Sequence, residues 1–114
     1  MIRSASMSEH AVVLCTAGSE LEAARIAREL VERDLAACVN VVPGVQSTYR
    51  WEGAVRTEAE WLLVVKTRRD CFDEIRSAIR ELHSYELPEI VMLGFDRADA
   101  AYLAWIDASV GGPG

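Results

Sequence analysis

The segment ELHSYELPEI, residues 81–90, places an imidazole, a phenol and carboxylates within a few positions of a proline. A histidine and a glutamate could transfer protons as acid and base, but no nucleophile has an evident partner, so the sequence does not predict an enzyme. The same groups could bind a metal ion, since imidazole suits Cu(II) or zinc. Alternatively Pro88 ends a helix, Tyr85 packs, and His83 contacts the last carbonyls of that helix. Both alternatives stay open from spacing alone.

The three cysteines are candidate metal ligands or small buried side chains. Their number is odd and no two form a CxxC pair, so neither a disulfide framework nor a local zinc site is predicted. Cys38 lies in the apolar string AACVN, where a thiolate would suit Cu(I) or zinc and a thiol would pack as a small apolar group. We expect Cys15 in the core and Cys71, near a helix start, to be partly exposed. A reducing cytoplasm is the predicted location.

The composition excludes several classes of partner. A chain of 114 residues, 51 % of them apolar, fits one domain with a real core. Its net charge of −6, with no basic cluster beyond Arg68-Arg69, predicts no binding to nucleic acid or to anionic membranes. The apolar run AVVLCTA is too short to span a bilayer. We expect residues 10–109 to form the domain, with flexible ends at residues 1–9 and 110–114.

The elements that position these side chains begin with a strand and a helix. The string HAVVLCTA, residues 10–17, predicts a buried strand. Ser19 is expected to cap the following helix, with Glu22 completing a capping box, and the helix should end near Asp34. The predicted buried face of this helix consists of Ala23, Ala27, Leu30 and Val31.

A long hairpin is predicted next. The string AACVNVV, residues 36–42, is a strand that Pro43-Gly44 interrupts and that VQSTYRW resumes with clean alternation. Glu52-Gly53 is a plausible two-residue turn, and AVRTEAEWLLVVKT returns. The aromatic side chains here could stack a ligand, although packing at an interface is the alternative; they are Tyr49, Trp51 and Trp61.

The second half of the chain predicts a helix, a strand and a final helix. Asp70 can cap the second helix, which must stop before Pro88. Its apolar face recurs at helical spacing and consists of Phe72, Ile75, Ile79 and Leu82. EIVMLGF is then the last main strand, and DAAYLAWIDAS forms a short C-terminal helix.

The order βαββαβ predicts an α+β, ferredoxin-like fold with both helices on one face of an antiparallel sheet. Two features do not fit an isolated chain. The strings VVLC, WLLVV and IVML are apolar on both faces, and the hairpin, at roughly 16 residues of about 3.3 Å, is longer than a compact domain this size. We therefore expect subunits to cover each other's sheet faces, with each hairpin reaching a neighbour.

Several strings together resemble the CutA divalent-ion tolerance proteins over nearly all of residues 10–108. They are TAGSELEAARIARELVERDLAACVNVVPGVQSTYRWEG, LLVVKTRR, ELHSYELPEI and AYLAWI. The resemblance implies a ferredoxin-like fold, a tight homotrimer with long hairpins, and an architecture similar to that of PII signalling proteins. It also implies a role in tolerance to copper and other divalent cations. The alternative is a PII-like module that binds a small ligand or a protein partner.

The resemblance also implies a cleft between subunits, lined by the opening segment. Its expected ligand-binding residues are Lys66, Tyr85, Glu86 and Glu89, and His83 is its expected ligand for copper or another divalent cation. Cys38 is the other candidate metal ligand, because a thiolate suits Cu(I) or zinc. Three positions depart from the family pattern near this cleft: Ser84 replaces a usual proline, Arg50 an aromatic residue and Ala54 a common lysine.

Overall fold

A computed structural model describes residues 9–111. In chain order the elements are β1 (His10–Ala17), α1 (Glu20–Glu32), β2 (Cys38–Trp51), β3 (Ala54–Arg68), a 3-10 turn (Arg69–Cys71), α2 (Phe72–Leu82), β4 (Val91–Gly94) and α3 (Ala100–Ser109). This order confirms the predicted α+β arrangement with a long central hairpin and a C-terminal helix. The flexible ends predicted at residues 1–9 and 110–114 lie mostly outside the described residues and stay a prediction.

The sheet has the strand order β2-β3-β1-β4, and all three neighbouring pairs are antiparallel. Strict alternation along β1 buries every second side chain, so Val13 and Cys15 face the helices while Val12 and Leu14 face away from them. α1 and α2 cover the buried side, and the core lies between them and the sheet. Its largest fully buried side chains include Ile26, Leu30, Leu63, Ile75 and Ile79.

Both ends of α1 are fixed by local hydrogen bonds. The Ser19 hydroxyl accepts from the Glu22 amide at 3.1 Å, which confirms the predicted cap. At the other end the Arg33 amide donates to the Glu29 carbonyl at 3.0 Å, and Asp34 follows with a φ of 59°, in the left-handed region. Val31 was predicted on the buried face, and this is wrong, since it is 42 % exposed. The inward stripe instead follows the 3.6-residue period through Ala23, Ile26 and Leu30.

The hairpin formed by β2 and β3 runs well beyond the helices. Pro43-Gly44 forms a bulge within β2 instead of interrupting it, because the pairing shifts between Val42 and Val45. The predicted two-residue turn is confirmed: Glu52 and Gly53 both have positive φ, at 50° and 81°. The extended hairpin contributes to a longest molecular dimension of 48 Å.

The start of α2 differs from the prediction at Asp70. The residue at the cap position is Cys71, the last residue of the 3-10 turn, and its side chain makes no cap hydrogen bond. The Asp70 carboxylate instead accepts from Nε and Nη2 of Arg68, at 3.2 and 3.1 Å. Asp70 lies inside the 3-10 turn, one residue before the cap position, so its carboxylate is placed to bind the Arg68 guanidinium rather than the amides of α2.

α3 closes the end of the sheet where β1 begins and β3 ends. The Asp99 carboxylate caps it by accepting from the amides of the next turn. Asp107 then accepts from His10 Nε2 at 2.9 Å and from Arg68 at 3.0 Å. Ile106 is fully buried and joins the core. α3 is therefore part of the folded unit. None of the helices within residues 9–111 is long and apolar enough to cross a membrane.

The face of the sheet that carries no α1 or α2 contacts is apolar at its centre, as the sequence predicts; we call it the open face. Its alternating positions include Val12, Leu14, Leu62 and Val64. On β4, Val91 is 44 % exposed and Leu93 is 52 % exposed. Apolar exposure of this kind is typical of a surface that another chain covers.

Candidate functional site

A pocket of about 710 Å³ lies between the outer part of the hairpin and the loop that follows α2. Four of its lining side chains are carboxylates, and the only guanidinium among its lining residues is that of Arg56. We call it the acidic pocket. The carboxylates are Glu58, Glu60, Glu86 and Glu89, and the aromatic walls are Tyr49, Trp51 and Tyr85. Its negative charge favours cations.

Strand alternation explains how the hairpin builds its side of the pocket. Tyr49 pairs with Arg56 and Ser47 with Glu58, so these side chains share one face of the hairpin. The Tyr49 hydroxyl donates to the Glu58 carboxylate, and this bond raises the pKa of Tyr49. The phenol therefore stays protonated and holds the carboxylate on the pocket wall.

Tyr85 joins the loop to the hairpin. Its hydroxyl donates to Glu60 Oε2 at 2.7 Å, and Glu60 is buried. Burial, followed by the bond to Glu60, raises the pKa of Tyr85 well above the ordinary phenol value. The pair therefore consists of a neutral phenol and a carboxylate acceptor. The same hydroxyl lies so close to Gly18 that a β-carbon there would be 2.7 Å from it.

His83 uses both ring nitrogens within the protein. Nε2 lies 2.7 Å from the Thr16 carbonyl oxygen, and Nδ1 lies 3.0 Å from the Tyr85 amide nitrogen. A carbonyl only accepts and an amide only donates, so the ring is neutral with its proton on Nε2. The approach of Nδ1 to Glu22, at 3.8 Å, is therefore not an ion pair. The buried imidazole ring also packs on the Tyr85 ring at 4.6 Å.

Lys66 and Cys38 lie elsewhere on the open face. They are direct partners across β2 and β3, with Lys66 Nζ 3.9 Å from Cys38 Sγ. Lys66 also donates to the Asn40 side chain. Within one chain the fold thus brings Tyr85, Glu86 and Glu89 together but separates Lys66 from them. The cleft role predicted for Lys66 stays a prediction.

No group of three His, Cys, Asp or Glu side chains within residues 9–111 lies close enough together to hold a metal ion. This finding applies to the side chains of a single chain and does not include ligands that a second copy would supply. The metal-binding roles predicted for His83 and Cys38 stay predictions.

Sequence reasoning missed two carboxylates of the pocket. Glu58 and Glu60 lie in the string TEAEW, where spacing by two places both on one face of β3. That alternation was the available signal. Of the departures from the family pattern, Ala54 pairs with Trp51 at the pocket's outer end, whereas Arg50 faces the other side of the hairpin. Ser84 contacts Glu22.

All three cysteines are free. Cys15 is buried in the core as predicted, and burial raises the pKa of its thiol to about 12. The partial exposure predicted for Cys71 is wrong: the side chain is fully buried beneath the start of α2, and burial raises its pKa. Cys38 is half-buried.

The chain matches known proteins over nearly its whole length. Residues 11–109 match the family model described as CutA1 divalent ion tolerance protein. The Divalent-cation tolerance protein CutA of Thermus thermophilus is 46 % identical over 100 residues, which are 88 % of this chain and 97 % of that protein. The protein of the same name from Archaeoglobus fulgidus is 41 % identical over 101 residues, covering 89 % of this chain and 98 % of the relative.

Solved structures show the same fold. The Thermus thermophilus protein superimposes with a TM-score of 0.87 at 45 % identity, covering 90 % of this chain and 99 % of that chain. CutA1 from Oryza sativa gives a TM-score of 0.88 at 36 % identity, covering 94 % of this chain and 97 % of that chain. Sequence and fold thus agree, and the chain belongs to the CutA1 divalent ion tolerance protein family.

Proposed function

We propose that this protein is a non-enzymatic homotrimer that acts in tolerance to divalent cations by binding a divalent cation, copper among them, in the acidic pocket. The observation that carries the proposal is the pocket itself, with four glutamates and one arginine on its walls. The relatives are named as tolerance proteins and not as enzymes, which supports a role in binding.

The open face supports association with further copies of the chain. β2 and β4 are the two edge strands of the sheet, and unpaired strand edges readily pair with another chain. The apolar side chains exposed on this face, Val42, Val91 and Leu93 among them, would lose contact with water in such an assembly. The number three comes from the family resemblance. The expected mass in sedimentation is about three times the chain mass of 12.6 kDa.

A second copy would also complete a metal site. Two pocket carboxylates already accept hydrogen bonds from phenols, Glu58 from Tyr49 and Glu60 from Tyr85. Glu86 and Glu89 are exposed and have the oxygen donors that divalent cations accept. Side chains from the hairpin of a neighbouring copy would fill the remaining coordination positions of the metal ion. Carboxylate oxygens suit Mn²⁺, and affinity at a given site rises from Mn²⁺ to Cu²⁺, so one such site can take more than one cation.

Isothermal titration with Cu²⁺ and with Mn²⁺ tests the proposal. The double variant Glu86→Gln/Glu89→Gln should bind copper at least tenfold more weakly, about 1.4 kcal/mol or more. The matched control Glu20→Gln/Glu32→Gln removes the same charge from exposed sites on α1 and should bind as the unmodified protein does. Equal affinity in the pocket variant, or no binding by the unmodified protein, would overturn the proposal.

A second candidate function is a PII-like module that binds an organic ligand, which the three aromatic walls favour. Rings of Tyr49, Trp51 and Tyr85 line the same pocket and offer faces on which a planar group could stack. This function predicts binding that survives exhaustive chelation and is lost in Trp51→Ala. Binding that disappears with chelator would favour the cation instead.

We propose a cytoplasmic location, because the three free cysteines suit a reducing compartment. The solved structure of the Archaeoglobus fulgidus relative is named as that of a periplasmic protein, so the periplasm is the alternative location. Cell fractionation separates the two: recovery in the periplasmic extract would contradict the proposal.

A further inference from the structure

We propose that Glu22 and Ser84 form a clamp that positions Tyr85 in the acidic pocket, a role that rests on the cation binding proposed for that pocket. Glu22 lies in the first turn of α1, and Ser84 lies in the loop after α2. Glu22 Oε2 accepts from the Ser84 amide at 3.0 Å, and Glu22 Oε1 accepts from the Ser84 hydroxyl at 3.1 Å. Both carboxylate oxygens are therefore committed to one residue.

The residue after the clamp is Tyr85, whose backbone amide has a second, separate anchor in His83. Its amide donates to His83 Nδ1, and His83 Nε2 donates to the Thr16 carbonyl of β1. The loop is thus tied to α1 through Ser84 and to β1 through His83. With the backbone fixed at both residues, the Tyr85 ring extends across Gly18 and places its hydroxyl on Glu60.

The clamp has strict chemical requirements. A bidentate carboxylate is needed at position 22, because an amide side chain offers only one acceptor oxygen. Position 84 needs both an amide and a hydroxyl donor, which serine and threonine supply, alanine supplies in part, and proline lacks altogether. The Glu22 side chain is only 17 % exposed, so loss of its donors would leave a carboxylate poorly solvated. Charged hydrogen bonds of this kind are among the stronger ones in proteins.

Glu22 and Ser84 would therefore act on the pocket through Tyr85. They line a neighbouring depression together with Gly18 and Tyr85, and neither lines the acidic pocket. Loosening the clamp should let the Tyr85 ring leave Gly18 and free the Glu60 carboxylate from its phenol donor. Glu60 would then lose its fixed orientation on the pocket wall.

The first readout needs no ligand. In full-length protein carrying ¹³Cζ-labelled tyrosine, Tyr85→Phe assigns the Tyr85 resonance. We expect Glu22→Gln to shift that resonance and to speed hydrogen exchange of the Ser84 and Tyr85 amides by tenfold or more. Ser84→Ala should change the resonance and the exchange rates less than Glu22→Gln does. Ser84→Thr, which keeps the hydroxyl donor, should leave both as in the unmodified protein. Glu20→Gln, in the same turn of α1, is the matched control.

The second readout is copper affinity, measured with Cu²⁺ alone. We expect Glu22→Gln to weaken binding by threefold to tenfold, because the loop that Tyr85 joins to the hairpin carries the proposed ligands Glu86 and Glu89. The same change should add little once Tyr85→Phe has already removed that link. An unchanged Tyr85 resonance and unchanged amide exchange in Glu22→Gln and Ser84→Ala would overturn the clamp. If the unmodified protein binds no copper, the proposed function fails, while the ligand-free spectra still decide whether the clamp exists.

Discussion

Gly18 leaves room for the hydroxyl of Tyr85, because a β-carbon at position 18 would lie 2.7 Å from that oxygen. Gly18 follows β1 and Tyr85 follows α2, so the contact joins two connections that are distant in the chain. The hydroxyl then reaches Glu60 on β3. Three separate elements thus meet at one phenol, and a methyl group added at Gly18 would disturb all of them.

We expect Gly18→Ala to displace the Tyr85 ring and to lower the free energy of unfolding by about 1–3 kcal/mol, the usual cost of overpacking. Urea denaturation of the two proteins measures this difference. In a Tyr85→Phe background the clash with the phenol oxygen is absent, so the same Gly18→Ala change should cost clearly less. If Gly18→Ala lowers the free energy of unfolding equally in the unmodified and in the Tyr85→Phe background, the clash with the Tyr85 hydroxyl is not the reason for glycine at position 18.

Leu93→Asp should break the proposed trimer. Leu93 lies on the open face of the edge strand β4 and is 52 % exposed in a single chain. An unpaired carboxylate buried between subunits is strongly unfavourable, so sedimentation velocity should show a monomer or an aggregate. The control is Leu21→Asp on α1, where the side chain is 82 % exposed and an acidic residue suits the first helical turn. A Leu93→Asp trimer that matches the control would contradict the assignment of this face.

The fold could be predicted because its signals are local and mutually consistent. Alternation in residues 10–17, the cap at Ser19 and the turn at Glu52-Gly53 are all confirmed. The failures are side chains whose partners come from distant segments. Asp70 has the right residue type for a cap, but it lies one residue before the cap position and its carboxylate binds Arg68. Glu22 fits a capping box, yet its carboxylate bonds to Ser84.

The site was predicted less completely for the same reason. The sequence indicated the segment around Tyr85 and Glu86, which does line the acidic pocket. It missed Glu58 and Glu60, because they form a pocket wall only through the contact between the hairpin and the loop after α2. That contact joins segments that are distant in the sequence. Lys66 was grouped with this segment through the family resemblance, whereas in one chain it pairs with Cys38. Periodicity assigns a residue to a face but does not reveal what lies opposite it.

Thiol reactivity should follow burial. Cys38 is half-buried in a single chain and should react before Cys15 and Cys71 with a thiol reagent near pH 8, while those two buried thiols should react only on unfolding. Mass spectrometry of partially labelled protein identifies the order, and labelling in denaturant gives the total. Rapid native labelling of Cys15 would contradict the buried position assigned to it.

Cys15 also predicts a loss of stability at alkaline pH. Burial raises its pKa from 9.0 to about 12, so between these values the folded state keeps a proton that the unfolded state releases. Its contribution is complete below pH 9 and declines as the pH rises towards 12. Cys15→Ala should therefore show a shallower decline of stability above pH 9 than the unmodified protein, as measured by urea unfolding across this range.

His83→Phe separates the structural role of the imidazole from the metal-binding role predicted for it. Phenylalanine keeps an aromatic ring to pack on Tyr85 but removes both hydrogen bonds. The Tyr85 amide would lose its acceptor and the Thr16 carbonyl would keep only the weak donor Cys15 Sγ, at a cost of about 1–3 kcal/mol in total. We therefore expect a clear fall in the free energy of unfolding.

Under the structural role, copper affinity stays within threefold of that of the unmodified protein, whereas under the metal-binding role predicted from the sequence it falls tenfold or more. The lone pair that a metal would need is the one on Nδ1, and it already accepts the Tyr85 amide. The structural role predicts a loss of stability with copper affinity retained, and the metal-binding role predicts the reverse. The free energy of unfolding and the copper affinity therefore distinguish the two roles when measured together. Copper binding weakened tenfold or more, with stability unchanged, would establish the imidazole as a ligand and would require the ring to release Tyr85 when the metal binds. A loss of stability with copper affinity retained would make His83 the anchor of the loop.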